Sequence, residues 1–206
     1  MMETISYLIG HAGLFLEATI EHAALVASTL LIASAVAAAI TLACLQSRRA
    51  ANAAVELLGA FYSIPSIALF ALLIPLTGLG ETTAVIVMVA YCQFILVRNA
   101  LEGLNGIDPA IIEAAQGLGM TPAQTLLRVR LPLAAPAIVA ISCVGIATVA
   151  ASINAGGLGS ILFSGLRTLN VPKILGGTLC CVLLALAIDA LLRAVEKLIS
   201  ARTGMH

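Results

Sequence analysis

Side chains able to do chemistry are few in this chain, and they gather in three places. Residues 113–132 read E-A-A-Q-G-L-G-M-T-P-A-Q-T-L-L-R-V-R-L-P. Glu113, Ala114, Ala115, Gly119, Leu131 and Pro132 there describe a docking surface rather than a reaction centre: a helix, a glycine turn, a second helix and a proline stop. Asp108 before Pro109 reads as an N-cap followed by proline at the first helical position, and Thr121-Pro122 with Gln124 repeats that device with a capping box. The second place is Tyr62-Ser63-Ile64-Pro65-Ser66, in the middle of an apolar run, where proline removes a helical hydrogen bond and hydroxyls can take over the freed carbonyls. The third is Asn154-Ala155-Gly156-Gly157-Leu158-Gly159, whose glycines suit a tightly turned or re-entrant backbone.

Catalytic constellations are missing. The chain has no G-x-x-x-x-G-K-[ST] phosphate loop, so nucleotide hydrolysis is expected in another polypeptide, and it has no H-E-x-x-H. His11, His22 and His206 fall outside the apolar runs and read as solvated side chains rather than ligands; neither a metal nor a cofactor is expected. Asp189 is the one carboxylate well inside an apolar run, but Arg193 stands one helical turn away and can pair with it. Cys44, Cys92, Cys143, Cys180 and Cys181 lie in apolar surroundings without metal-site spacing and read as small buried hydrophobes.

The elements that must position these residues follow from composition. Of 206 residues, 61% are hydrophobic and 10% charged, and the mean hydropathy is +1.12. Soluble domains carry roughly 25% charged residues, so lipid is the expected solvent. Ten basic and ten acidic side chains cancel, which leaves no net field for nucleic acid. Runs at 23–45, 55–76, 82–97, 133–151 and 174–192 are each read as a spanning helix, since crossing the hydrocarbon takes about 20 residues at ~1.5 Å each. Residues 1–22 read as an amphipathic N-terminal segment, 23–200 as the membrane domain with its cytoplasmic helices at 108–132, and 201–206 as a cytoplasmic tail. No cleavable leader is read at the start, because Glu3, Glu17 and Glu21 fall where a leader would carry Lys or Arg. The expected fold is therefore an all-α membrane protein with five spans.

Charge placement gives the orientation. Arg48, Arg49, Arg98, Arg128, Arg130, Arg193, Lys197 and Arg202 share one side of these spans, and only Arg167 and Lys173 fall on the other. Basic residues near span ends stay cytoplasmic, so the N-terminus is expected outside and the C-terminus inside. Spans one and four are rich in Ala, Ser and Gly, which lets helix backbones approach closely. An odd number of spans without internal repeat cannot form a pore from two halves of one chain, so a second copy or a paralogue is expected to complete it.

With those residues in place, the chain resembles the type I importer permeases of the ATP-binding cassette class. Their hallmark, E-A-A-x-x-x-G followed by I-x-L-P, is matched by Glu113, Ala114, Ala115, Gly119, Leu131 and Pro132, with Val129 in place of the usual Ile. The stretches 62–80, Arg98-Asn99, 106–115 and 154–159 are similar to the permeases of osmoprotectant importers. The resemblance implies a multi-pass subunit of a bacterial cytoplasmic membrane whose loop at 108–132 docks on a separate ATPase, the user of the ATP. It also implies an extracytoplasmic binding protein as a partner, and glycine betaine, choline, carnitine or a similar quaternary amine as cargo. Tyr62, Ser63, Pro65, Ser66, Asn154, Gly156 and Gly157 are then the expected pathway residues. Phe61 and Tyr62 are the only adjacent aromatics near the break, too few for a tight aromatic cage. A self-sufficient carrier or channel is the competing class, and it would need ion-coupling carboxylates in its core.

Single cysteines at positions 48, 128 and 167, in a background lacking the native cysteines, test the orientation. An impermeant thiol reagent added to intact cells should label position 167 and spare 48 and 128; labelling of 128 from outside would reverse the topology.

Overall fold

The computed structural model describes residues 2–45, 47–130 and 155–202. Among them the chain is helical: α1 (Met2–Gly10), α2 (Ala12–Cys44), α3 (Arg48–Tyr62), α4 (Ser66–Thr77), α5 (Glu81–Asn105), α6 (Pro109–Gly117), α7 (Pro122–Thr125) running into a single π-type turn (Leu126–Arg130), α8 (Gly157–Arg167) and α9 (Val171–Arg202). α2, α5 and the 171–194 part of α9 are each long and apolar enough to cross a membrane, and α3 with α4 makes a fourth candidate if the bent pair counts as one span. The run at 133–151 lies outside the described residues.

The core is the seam between α2 and α5. One face of α2 buries Phe15, Ala18, His22, Leu25, Val26, Thr29, Ala33, Ala37, Thr41 and Cys44, a stripe recurring every three or four residues as a helical face requires. Ala33 and Ala37 allow the two backbones to approach, the role expected of the small residues of span one. Leu25, Val26, Ala33, Leu69, Phe70, Ala84, Val87, Met88, Tyr91 and Cys92 form the largest buried cluster. Within the seam the Gln93 side-chain nitrogen donates both to Ala33 O (3.2 Å) and to Val89 O (2.9 Å), so a polar side chain ties two helices through its donor. Large apolar residues such as Leu31, Leu57, Leu72 and Leu186 stay exposed, as lipid contact demands.

The helix of the first span starts at Ala12, not at residue 23. Phe15, Ala18 and His22 are buried on the same face as the rest of α2, so residues 12–22 continue that helix, and only α1 stands apart across a break at His11. At 33 residues, α2 is ~50 Å long and exceeds the hydrocarbon thickness. The third span also runs longer than its apolar core, reaching Asn105. The second span is no gentle kink: α3 and α4 meet at 89°. Pro65 removes one backbone donor, and the residue preceding a proline is held out of the helical region, so the chain turns there and restarts with Pro65 as the N-cap of α4.

Candidate functional site

The knob at residues 108–125 is built by its caps. The Asp108 carboxylate accepts from Ala110 N at 2.9 Å and starts α6, with Pro109 in its first turn. At the other end Gly119 adopts φ +79°, its N–H reaches Gln116 O (2.9 Å), and Met120 N–H reaches Ala115 O (3.1 Å). That pair of bonds is the Schellman closure, which needs a left-handed residue and so favours glycine. Thr121 then opens α7: its hydroxyl accepts from Gln124 N (3.2 Å), while the Gln124 side chain accepts from Thr121 N (2.9 Å), the capping box expected from the sequence. Ala115 and Thr125 are buried, whereas Glu113 and Ala114 are exposed and Leu118 is 81% exposed at the tip. The result is two short helices locked by internal bonds, presenting an apolar tip and a carboxylate outward. Leu131 and Pro132 lie outside the described residues.

The α3–α4 corner forms a second group. Ser63 Oγ donates to Gly59 O (3.0 Å), and the Tyr91 hydroxyl donates to Ile64 O, so two carbonyls on the approach to Pro65 find side-chain donors. Tyr62 stacks near Tyr91 (ring centroids 5.5 Å) and Phe94 (5.2 Å), with Phe61 6.2 Å from Tyr91. The guanidinium of Arg98 lies 5.9 Å from the Phe94 centroid. The sequence reading placed only Phe61 and Tyr62 together; Tyr91 and Phe94 join them from α5. Their spacing of three residues on one face of α5 was the available signal, but only the fold shows that this face meets the break. Tyr62, Ser63 and Pro65 are exposed, Ser66 is half-buried, and all four sit at the corner itself.

The third group joins α2 to the start of α8. Gly156 and Gly157 have φ +79° and +69°, and the Glu21 carboxylate accepts from Gly157 N at 3.0 Å, capping the positive end of α8 from a distant helix. His22 is fully buried against Gly157, which corrects its reading as a solvated residue. It belongs to the buried stripe of α2, a register that extends below the apolar run used to set the span. Asn154 lies outside the described residues, so its expected place beside Tyr62 and Ser63 is not described. Asp189 and Arg193 form the expected pair, Nε to Oδ2 2.8 Å. No cluster of three or more His, Cys, Asp or Glu fit to hold a metal occurs among the described residues.

Comparisons with known proteins agree with this architecture. Residues 32–204 match the family described as binding-protein-dependent transport system inner membrane component. The choline transport system permease protein OpuBB of Bacillus subtilis is 31% identical over 203 residues, covering 96% of this chain and 94% of that protein. The glycine betaine/carnitine/choline transport system permease protein OpuCB of the same organism is 30% identical over the same extent. Among solved structures, a chain of the MetNI methionine ABC transporter in an inward-facing crystal form superposes with a TM-score of 0.78 at 21% identity, covering 90% of this chain and 96% of that one; this likeness shows the fold.

A mutation at Gly157 tests the α2–α8 junction. A Cβ there would stand 2.9 Å from His22 Nδ1 and 3.2 Å from the His22 backbone, in a left-handed conformation besides. Gly157→Ala should lower stability by at least ~1–2 kcal/mol from the backbone alone, read as a lower unfolding temperature of the purified protein. Gly10→Ala, whose added Cβ meets nothing within 4 Å, serves as the control.

Proposed function

The chain belongs to the binding-protein-dependent transport system inner membrane components, and from that membership we propose how this permease of an ATP-driven importer couples, what it carries and how it sits in the membrane. The observation that carries the proposal is the knob at 108–125: Asp108 and Thr121 start its helices, Gly119 joins them, and Leu118 and Glu113 face outward. Such a self-capped unit can enter a cleft on an ATPase partner without first being ordered by it, which limits the entropic cost of docking. Arg130 Nη2 donates to Leu104 O (3.3 Å), so the segment following the knob is tied to the C-terminal turn of α5. Movement of the ATPase would then be passed to the most buried helix of the bundle rather than absorbed in a loop.

The proposed membrane arrangement has five spans, the N-terminus outside and the knob inside, in a bacterial cytoplasmic membrane. Two permease chains, identical or paralogous, complete the pathway, and an extracytoplasmic binding protein delivers the solute. The proposed cargo is a small quaternary amine such as choline, glycine betaine or carnitine, in line with the relatives' names. In this reading the break at Tyr62, Ser63, Pro65 and Ser66, with Asn154, Gly156 and Gly157, borders the route. The exposed ring of Tyr62, backed by Tyr91 and Phe94, lends it a cation-attracting surface. Because Tyr91 and Phe94 pack against their neighbours, the contact is transient, and capture falls to the binding protein. A carrier driven by ions alone would need free core carboxylates, and Asp189 is committed to Arg193.

Gly119→Trp tests the coupling. A Cβ at position 119 meets nothing within 4 Å, but the left-handed φ of +79° strains any side chain there, so Trp should distort the knob locally while the bundle still folds. Docking should fail: the ATPase should no longer copurify and solute uptake should stop, while unchanged copurification and uptake would refute the knob's role.

Calorimetry tests the division of labour. The isolated permease should bind choline, glycine betaine and carnitine more weakly than ~1 μM, an affinity that takes roughly 8 kcal/mol. One of the three should nevertheless stimulate ATP hydrolysis in the importer reconstituted with ATPase and binding protein. Micromolar binding to the permease alone contradicts the weak contact, and silence of all three in the complete importer removes the substrate class.

A further inference from the structure

Two adjoining cavities of about 250 Å³ each lie where α2 ends, α3 begins and α5 ends, and their charges are sorted. They share Ala51, Asn52, Leu101 and Asn105 as walls. The first is lined in addition by Arg48 and Arg130 and by no carboxylate. The second adds Glu56, Glu102 and Arg98. Arg98 Nε is paired with Glu102 Oε1 at 2.7 Å, so Glu56 is the carboxylate of that cavity without an ion-pair partner among the described residues. One compartment is therefore doubly cationic, and its neighbour carries net negative charge.

In the cationic compartment one guanidinium nitrogen also stands without an acceptor. Arg130 spends one nitrogen on Leu104 O, yet its Nε is shielded from solvent and meets no hydrogen-bond partner among the described residues. A guanidinium N–H left so is costly unless an anion supplies the acceptor. The positive end of α3, which starts at Arg48, adds to the same field. Depth completes the argument. The apolar stretch of α2 closes at Cys44, and α5 ends at Asn105 one turn beyond the Arg98–Glu102 pair, so the cavities sit at the level where spanning helices leave the hydrocarbon. A species carrying an anion and a cation side by side, and confined to that level, is a zwitterionic phospholipid head.

We propose that this paired cavity binds a phosphoethanolamine headgroup of the bilayer, its phosphate on Arg48 and Arg130 and its ammonium on Glu56. A phosphodiester offers oxygens that a guanidinium fork can engage, and a primary ammonium offers N–H donors to a carboxylate. The headgroup would bridge the start of α3 to the π-type turn that follows the knob, fixing the segment between membrane and knob. It acts as a structural lipid and takes no part in the solute route.

The test is thermal unfolding of the purified full-length permease with its ATPase partner, titrated with phosphatidylethanolamine, phosphatidylcholine or phosphatidylglycerol of the same acyl chains. Phosphatidylcholine keeps the phosphate but has no N–H donor, and phosphatidylglycerol has no ammonium. Phosphatidylethanolamine should stabilise with an apparent affinity about 10-fold tighter than either, the value of one charge-assisted hydrogen bond. Glu56→Gln should erase that preference, and Arg48→Gln with Arg130→Gln should erase the response to all three lipids. Arg128→Gln, at an exposed arginine that does not line either cavity, should change nothing. If the double variant fails to fold, Glu56→Gln decides, since that side chain is exposed. Equal stabilisation by the three lipids, or an intact preference in Glu56→Gln, overturns the proposal. Soluble glycerophosphoethanolamine matching the intact lipid at equal concentration would assign the cavity to a free solute and overturn it as well.

Discussion

A backbone surrounded by hydrocarbon has no water to complete its hydrogen bonds, so each place where a helix stops must find a replacement donor or acceptor within the protein. The three candidate groups of this permease are three such places. At the α3–α4 corner, Ser63 and the Tyr91 hydroxyl reach carbonyls of the break. At the start of α8, the Glu21 carboxylate takes the Gly157 N–H. At the knob, where water is available, the closure is nevertheless internal, through Gly119 and the Thr121–Gln124 box. At Ile64 and at Gly157 the side chain thus answers to a backbone group beside a helix break. Irregular backbone of this kind is what a solute route or a docking unit is made from, and the proposed roles fall on these residues for that reason.

Close approach of the helices is the second condition, and it limits where those breaks can be. Ala33 and Ala37 bring α2 against α5, and Gln93 bridges the seam through Ala33 O. Lengthening either alanine would force the helices apart, typically at ~1–3 kcal/mol, and would shift Tyr91 relative to Ile64. Polar side chains in the seam are few and specific: Thr29, Thr83 and Gln93 lie within it, and Thr83 Oγ1 meets Thr77 Oγ1 at 2.6 Å beside the α4–α5 turn. Such pairs add little energy each in a membrane, but they fix the register that a uniformly apolar seam would leave free.

Much of this was legible in the sequence, for reasons that can be named. Caps are local: Asp108-Pro109, Gly119 and Thr121-x-x-Gln124 act within a few residues, so the knob's helices were readable to within a residue or two. Apolar length is also local, and it located α5 and α9. The start of α2 was misplaced because a hydropathy window cannot see that Phe15, Ala18 and His22 share a buried face with the residues beyond 23; helical register had to be followed through polar Glu17 and Glu21. The severity of the bend at Pro65 was equally invisible, since proline reports that a bond is lost, not how far the chain then turns. Glu21 capping Gly157 joins residues 136 apart, and the meeting of Tyr62 with Tyr91 and Phe94 depends on which face of α5 points to the corner. Long-range pairing of this sort leaves no local trace in one sequence.

The knob's stiffness and the corner's softness are complementary. The side-chain caps of α6 and α7 are made within residues 108–124, so the unit can move as a body without losing them. Its mechanical exit is the π-type turn at Leu126–Arg130, where Arg130 grips the last turn of α5. α5 in turn carries Gln93 to α2 and Tyr91 to the corner, so one buried helix touches each of the surfaces that a transport cycle would have to change. At the corner itself Ser63 and Pro65 are exposed, and the hold on Ile64 O is a single side chain rather than a helical ladder. A displacement entering at Arg130 therefore meets rigid packing along α5, and the α3–α4 corner is where the helical ladder is already interrupted. In the proposed cycle that corner would yield first, which is where a route for solute has to open and close.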